Sequence, residues 1–239
     1  MKANPPLVTA IMAAYNGERY IEQALGSILR QAHRPLEVMV VDDGSTDGTA
    51  DCVRRFPEVR YVFQQNRGPA AARNQALSMS SGDLVTFLDQ DDEWTVDKLE
   101  RQVPFMLEHP EVDCSFAWQR VTLEEEIRND VPAPLKDYLR KNGPLQAGFL
   151  PGTLMARRSL FDRVGVFDES FLNTSDAEWF FRCKDAGAKM AVLPDILLLK
   201  RFHANNHCYQ TELSQRDTLR FVRESIVRGR RAHERDHRD

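Results

Sequence analysis

Across the first hundred residues, short β-branched runs alternate with stretches of helical spacing, the signature of a parallel sheet with helices on its faces. The expected strands are Leu7–Ala14, Leu36–Asp42, Val59–Gln64 and Leu84–Asp89. Between them, Glu18–Gln31 carries Ile21, Leu25, Ile28 and Leu29 at helical spacing, and Thr46–Phe56 and Pro69–Met79 read as shorter helices. A helix over Thr95–Glu108 and a strand over Val112–Ala117 follow. The expectation is an α/β fold with a mostly parallel central sheet flanked by helices.

From Arg120 to Gln146 the apolar period fades, through EEE at 124–126, VPAP at 131–134 and KNGP at 142–145, and this stretch reads as a variable insertion or lid. Regular patterning resumes over Gly152–Arg157, with helices near Ser159–Val164 and Asp176–Ala186 and strands near Met190–Leu193 and Ile196–Phe202. A closing helix, Thr211–His233, sets Leu219, Val222 and Ile226 on one face.

With 239 residues, 42% of them hydrophobic, the chain can bury a core as one domain or one domain with a small appendage. Its net charge of -4 argues against a general nucleic-acid binder, which needs a basic surface to displace counterions. No run approaches the roughly 18 apolar residues that span a bilayer, and the N-terminus lacks a signal-peptide pattern, so the cytoplasm is the expected location. Cys52, Cys114, Cys183 and Cys208 are scattered with no C-x-x-C pair, and are read as reduced packing residues.

Two acidic clusters carry the chemistry. Asp89-Gln90-Asp91 follows the apolar run LVTFL, and carboxylates at i and i+2 on an extended chain point to the same side. Hard oxygen ligands of this kind suit Mg²⁺ or Mn²⁺, completed by substrate phosphates and water. The same residues also suit a turn, and Asp92 fits such a local role. Asp42-Asp43-Gly44-Ser45 follows the strand EVMVV and reads as a tight turn with Ser45 as a helix cap. Acidic residues at two strand ends share one rim, where open α/β sheets bind ligands, and an Asp there can accept from a uracil N–H or ribose hydroxyls. The G-x-G-x-x-G and G-x-x-x-x-G-K-[ST] patterns are absent from the sequence, which sets aside dinucleotide and ATPase readings.

Taken in order and spacing, Val8-Thr9-Ala10-Ile11-Met12-Ala13-Ala14-Tyr15-Asn16, VVDDGSTDGT at 40–49, Asn66-Arg67-Gly68-Pro69-Ala70-Ala71-Ala72-Arg73-Asn74 and FLDQDDEW at 87–94 resemble the family-2 glycosyltransferases. The resemblance continues through GVFDESF at 165–171 and SDAEWFFRCKDAG at 175–187 to Arg201-Phe202-His203-Ala204-Asn205-Asn206. It covers roughly residues 7–206 and implies a GT-A fold, with a nucleotide-binding half over 1–118 and an acceptor half over 149–210, and it leaves the insertion over 119–148 and the C-terminal helix with its charged tail over 211–239 unexplained. It also implies an inverting, Mn²⁺- or Mg²⁺-dependent transfer from a nucleotide-diphosphate sugar, a UDP-sugar first, to a hydroxyl of a glycan, lipid-linked glycan or other acceptor.

By motif position, Ala14, Tyr15, Glu18, Asp42 and Arg73 line the nucleotide site, with Asp89, Gln90 and Asp91 at the ribose, diphosphate and metal, and His203 completing the metal set. Asp176 is the expected catalytic base. Ser175 reads as the N-cap of its helix, Glu178 as the partner in a capping box, and the helix dipole favours the ionised Asp176. Ala13 stands where the family often has Pro, and Ser175 where it often has Glu. Trp94, Trp118 and Trp179 suit either sugar stacking or packing. The competing readings are a nucleotidyltransferase, which wants a basic Gly-rich loop after the first strand, and a catalytically silent nucleotide-sugar-binding protein. The tail Arg228–Arg238 suits a solvated helix end or contact with an anionic membrane surface.

Overall fold

The computed structural model describes residues 4–129, 131–171, 173–204, 206 and 211–236. Strands β1 (Val8–Ala14), β2 (Leu36–Asp42), β3 (Val59–Phe63) and β4 (Leu84–Phe87) pair in parallel in the order β3-β2-β1-β4. Alternation along β1 splits its side chains between two cores. Val8, Ala10, Met12 and Ala14 pack with Ile21, Ala24, Leu25 and Ile28 of α1 (Ile21–Leu29) and Val53 of α2 (Thr49–Arg54). Ile11 joins Ala70, Ala72, Ala76 and Leu77 of α3 (Pro69–Met79) on the other face. Because the chain passes from β1 out to β3 and returns through α3 to β4, the strand order reverses between β1 and β4, which opens a crevice at their carboxyl ends.

Beyond β4 the sheet becomes mixed. Strands β5 (Glu93–Trp94), β6 (Cys114–Leu123), β7 (Leu145–Gly148), β8 (Met155–Arg157) and β9 (Met190–Phe202) extend it in the order β4-β8-β6-β9-β5, with β7 also paired to β6. Only β6 and β9 run parallel in this half. The two short strands expected over 190–202 are one strand. Register shifts opposite Phe116 and Trp118 absorb Pro194, so the missing N–H interrupts the ladder without ending it.

Helix α4 (Lys98–Glu108) covers the second half of the sheet with Leu99, Val103 and Met106. Lys98 is fully buried and pairs with no carboxylate among the described residues; its Nζ donates to Thr86 Oγ1 at 3.1 Å and to Gln102 Oε1, and sits 4.7 Å from the Trp94 ring centroid. Residues 119–148 hold regular structure: the end of β6, α5 (Glu125–Arg128), α6 (Ala133–Asn142) and β7. Their weak apolar period reflects a small separate core, in which Val121, Ile127 and Leu135 close over Phe202 of β9.

Helices α7 (Arg158–Val164) and α8 (Ser175–Asp185) carry an aromatic cluster in which Trp179 stacks on Phe161 at 4.6 Å and meets Phe167 and Phe180. Truncating such a buried ring costs about 3–5 kcal/mol. Trp94 is equally buried, donating to Gly152 O at 3.0 Å, so of the three tryptophans only Trp118 keeps an exposed face. Helix α9 (Thr211–Asp236) packs on α8, and Arg228 pairs with Asp185 at 2.8 Å. Of the tail, Arg238 lies outside the described residues, as do the side chains of Arg230, Arg231 and Arg235. Cys52, Cys114 and Cys183 are free thiols; Cys208 lies outside the described residues. Among the described residues no helix is long and apolar enough to cross a membrane.

Candidate active site

The crevice between β1 and β4 gathers the expected site residues from segments far apart in sequence. Behind β1, the turn Tyr15–Gly17 is fixed from the β2 side. Asn16 takes a positive φ of 49°, which Asn tolerates, and its N–H donates to Ser45 Oγ at 2.9 Å while its Oδ1 accepts from Thr46 N at 2.8 Å. Glu18 Oε2 accepts from Gly48 N at 2.7 Å, so its carboxylate holds the start of α2 in this geometry. A Cβ at Gly17 would collide with the Gln90 carboxamide, which explains glycine there. Gln90 itself grips the main chain of Tyr15.

Asp42 is buried at the end of β2, accepting from Ser45 N at 2.8 Å and from the Tyr61 hydroxyl at 2.7 Å. Burial and that hydrogen bond push the Tyr61 hydroxyl up to about 12, so it stays a donor. Asp43 has a role the sequence reading did not assign. Its carboxylate accepts from Gln64 Nε2, Arg67 N and Gly68 N at 2.6, 2.8 and 2.8 Å, which sets the start of α3 at the Gly68-Pro69 step. One turn into α3, Arg73 donates to Asp89 Oδ1 at 2.8 Å with little exposure.

The placement of Asp89 and Asp91 differs from the strand-end argument. β4 stops at Phe87, and Asp92 N donates back to Asp89 O at 3.2 Å, so Asp89-Gln90-Asp91 forms a turn rather than extended chain. Alternation therefore does not aim the two carboxylates; contacts with the end of β9 do. Lys200 Nζ lies 2.9 Å from Asp92 Oδ2 and 3.7 Å from Asp89 Oδ2, and Arg201 donates through N to Asp92 Oδ1 and through Nε to Asp91 O. Burial alone would lower the Lys200 ammonium, but the carboxylates of Asp92, Asp89 and Asp91 outweigh it and hold it well above its ordinary value. The Lys-Arg pair stands immediately before Phe202-His203, and only that proximity to the motif hinted at it.

His203 meets Asp91 through Nε2 at 3.0 Å, and Asn206 Nδ2 donates to the same Oδ2 at 3.1 Å. Burial would raise the Asp91 carboxyl; the His203 hydrogen bond and the Lys200 charge overcome it and hold Asp91 below its usual range. The Tyr20 ring backs His203 at 4.9 Å between centroids. One carboxylate and one imidazole brought together in this way are ligand types that fit Mn²⁺ or Mg²⁺. Asp89 is engaged by Arg73 and Lys200, and among the described residues no three His, Cys, Asp or Glu side chains gather at metal-ligating spacing.

Asp176 lies at the first turn of α8, within electrostatic reach of Arg73 and Asp89. The expected capping box is absent. Thr174, not Ser175, precedes the helix, and the Glu178 carboxylate takes both its contacts from Arg182 Nε at 2.8 and 2.9 Å. Thr174 instead donates to Asp217 Oδ2 of α9 at 3.3 Å. The helix start does not hold the Asp176 carboxyl down: burial pushes it above its ordinary value, against the charge of Arg73 and with that of Asp89.

A parallel half-sheet with an acidic rim at its switch point and a mixed second half is the architecture of GT-A glycosyltransferases. The family model of Glycosyl transferase family 2 matches residues 9–165, and the chain belongs to that family. An uncharacterised glycosyltransferase of Rickettsia conorii is 37% identical over 208 residues, 83% of this chain and 34% of its own length. The Bacillus subtilis glycosyltransferase TuaG, named for teichuronic acid biosynthesis, is 41% identical over 123 residues, 49% of this chain and 48% of its own. The chain thus spans half or less of these relatives. In fold it resembles Staphylococcus aureus TarS 1-349 in complex with UDP-GlcNAc, with a TM-score of 0.74 and 24% identity over 92% of this chain and 66% of that one. The mannosyltransferase PcManGT of Pyrobaculum calidifontis, in complex with GDP-Man and Mn²⁺, gives a TM-score of 0.70 at 24% identity over 94% of this chain and 65% of that one.

Proposed function

We propose that this protein transfers a sugar, with inversion, from a nucleotide-diphosphate sugar to an acceptor hydroxyl, using a divalent metal. The observation that carries this reading is the convergence of Asp91 with His203, and of Arg73 with Asp89, at the β1–β4 switch point, with Asp176 in electrostatic reach. Ala14, Tyr15, Glu18, Gln90 and Asp42 would bound the nucleoside, and a UDP-sugar is the first candidate because an Asp on this rim can accept from the uracil N–H. Asp91, His203 and Asp89 would hold Mn²⁺ or Mg²⁺, which when bound supplies charge neutralisation for the departing diphosphate. Arg73, next to Asp89, orients the same phosphates.

The reaction is a single displacement. The acceptor oxygen bonds to the anomeric carbon, the bond from that carbon to the diphosphate oxygen breaks, and the acceptor proton passes to the Asp176 carboxylate. A positioned base of this kind contributes about 10²–10⁴-fold. Residues 119–148 form the acceptor side. Their small core is anchored on Phe202, next to His203, and Arg201 joins Glu124 at 2.6 Å, so loading the metal site bears on this segment.

Calorimetry of UDP and GDP, each with Mn²⁺ and with excess chelator, tests the donor half, and mass spectrometry of candidate acceptors tests transfer. Equal affinity with and without metal ends the metal assignment. Limited proteolysis should cut within 119–148, and donor plus Mn²⁺ should suppress the cut; unchanged cleavage removes the acceptor-lid role.

A further inference from the structure

Helix α9 uses one face to hold the body and leaves the other unused. Inward, Phe221 is buried 5.0 Å from the Phe181 ring and 6.3 Å from Phe171, Asp217 accepts from Thr174, and Ser225 and Arg228 both donate to Asp185. Outward, Leu219 is 70% exposed, Ile226 52% and Val227 44%, with exposed Arg216 and Arg223 interleaved among them at helical spacing. Arg216, Leu219, Arg220, Arg223 and Glu224 line one surface groove there. Large apolar side chains this exposed, on a single helix face rimmed by guanidinium groups, mark an interaction surface rather than a solvated one.

The charge distribution selects the occupant. Residues 211–239 hold eight arginines against six Asp and Glu, a net +2, while the remainder of the chain carries -6 of the overall -4. A second copy of the same face would oppose arginine to arginine. An anionic lipid surface matches both parts, since it takes apolar side chains into the headgroup–acyl boundary and pairs arginines with phosphate.

We propose that the outward face of α9 docks on an anionic bilayer, Leu219, Ile226 and Val227 entering the interface and Arg216 and Arg223 meeting lipid phosphates. Arg220 supports the rim, stacked at 4.2 Å over Phe171 and paired with Glu224 at 3.1 Å. The Thr174–Asp217 contact ties this helix two residues from Asp176, so docking brings the bilayer surface to the side of the molecule where α8 begins. The inference goes beyond the reading of the donor site and does not depend on which sugar is moved.

The test is co-sedimentation of the full chain with phosphatidylcholine vesicles, with and without a minority of phosphatidylglycerol, at low and high salt. Binding is expected only to the phosphatidylglycerol vesicles, weakening with salt. Arg216→Gln and Arg223→Gln should each weaken partitioning by about fivefold. Leu219→Ser combined with Ile226→Ser should weaken it further while leaving the melting temperature and UDP affinity unchanged. Equal sedimentation with both vesicle types, no sedimentation with either, or variants that bind like the parent overturns the proposal. If the Leu219→Ser/Ile226→Ser variant instead lowers the mass at sedimentation equilibrium, the face belongs to a second copy of the chain and not to lipid.

Discussion

The carboxamide of Gln90 clasps the main chain of Tyr15 at two points: Tyr15 N donates to Oε1 at 2.8 Å, and Nε2 donates to Tyr15 O at 2.9 Å. This ties the loop after β1 to the loop after β4 directly across the switch point. Gln90 therefore shapes the crevice as well as bordering it, while its neighbours are held by other groups, Asp89 by Arg73 and Lys200 and Asp91 by Arg201 and His203.

Gln90→Ala removes both hydrogen bonds and should cost about 1–3 kcal/mol of stability. Nucleotide affinity should fall with it. Gln90→Glu keeps the acceptor and loses the donor, so it should fall between. Thermal melts paired with UDP calorimetry check this; wild-type values for Gln90→Ala would mean the clasp is incidental.

Asp91 and Asp92 are adjacent but should fail in different ways. Asp91→Ala removes the partner of His203 and should leave a folded protein whose nucleotide affinity no longer responds to Mn²⁺. Asp92 is buried against Lys200 and the Arg201 N–H, so Asp92→Ala leaves Lys200 only its longer contact with Asp89 and strips the Arg201 N–H of its acceptor, and should destabilise by about 1–3 kcal/mol. Urea titrations and calorimetry on both variants separate the two roles, and a stable Asp92→Ala protein would contradict the structural one.

As the proposed base, Asp176 would link activity to stability through pH. Its carboxyl is raised in the folded state, so folding is unpenalised at pH values below the unfolded pKa, and stability is lost as pH rises from there through the folded pKa. Asp176→Asn should therefore be more stable than the parent at neutral pH, with the difference vanishing in acid. The same variant should lose about 10²-fold or more in turnover with donor binding intact. The parent's acid limb should lie above the usual carboxylate range. Melting curves across pH, beside kcat and KM, decide; near-normal turnover for Asp176→Asn with a dead Glu178→Gln would move the base to Glu178.

Lys98 is held down to about 7 by burial alone. For a lysine lowered in this way, the penalty is absent above the unfolded pKa, grows as pH falls, and is complete below about 7. Lys98→Met should therefore stabilise the protein at neutral pH, by at most about 5 kcal/mol. The orphaned Gln102 carbonyl offsets about 1–3 kcal/mol of that. The gain should shrink toward the unfolded lysine pKa, and denaturant midpoints measured at neutral and alkaline pH check it.

What the sequence determined by itself is whatever local periodicity and short spacing encode. Strand β2 and helix α3 match their expected bounds, and the two faces of β1 follow from alternation, whereas Asp42, Arg73, Asp89, Asp91, Asp176 and His203 are proposed as one set on the resemblance of the ordered motifs to a known family. Tertiary structure alone decided how those groups are held. Asp89 to Asp91 lie in a turn whose geometry is set by Lys200 and Arg201, more than a hundred positions away, and no periodicity in either segment carries that information. The N-cap of α8 is Thr174 rather than Ser175, and the expected capping box is not made because the Thr174 hydroxyl goes to Asp217 of α9 and Glu178 to Arg182. The direction of the Asp176 shift reversed for the same physical reason: the favourable charge of a helix start is worth up to about 1–2 kcal/mol, and burial by side chains brought in from elsewhere in the chain outweighs it.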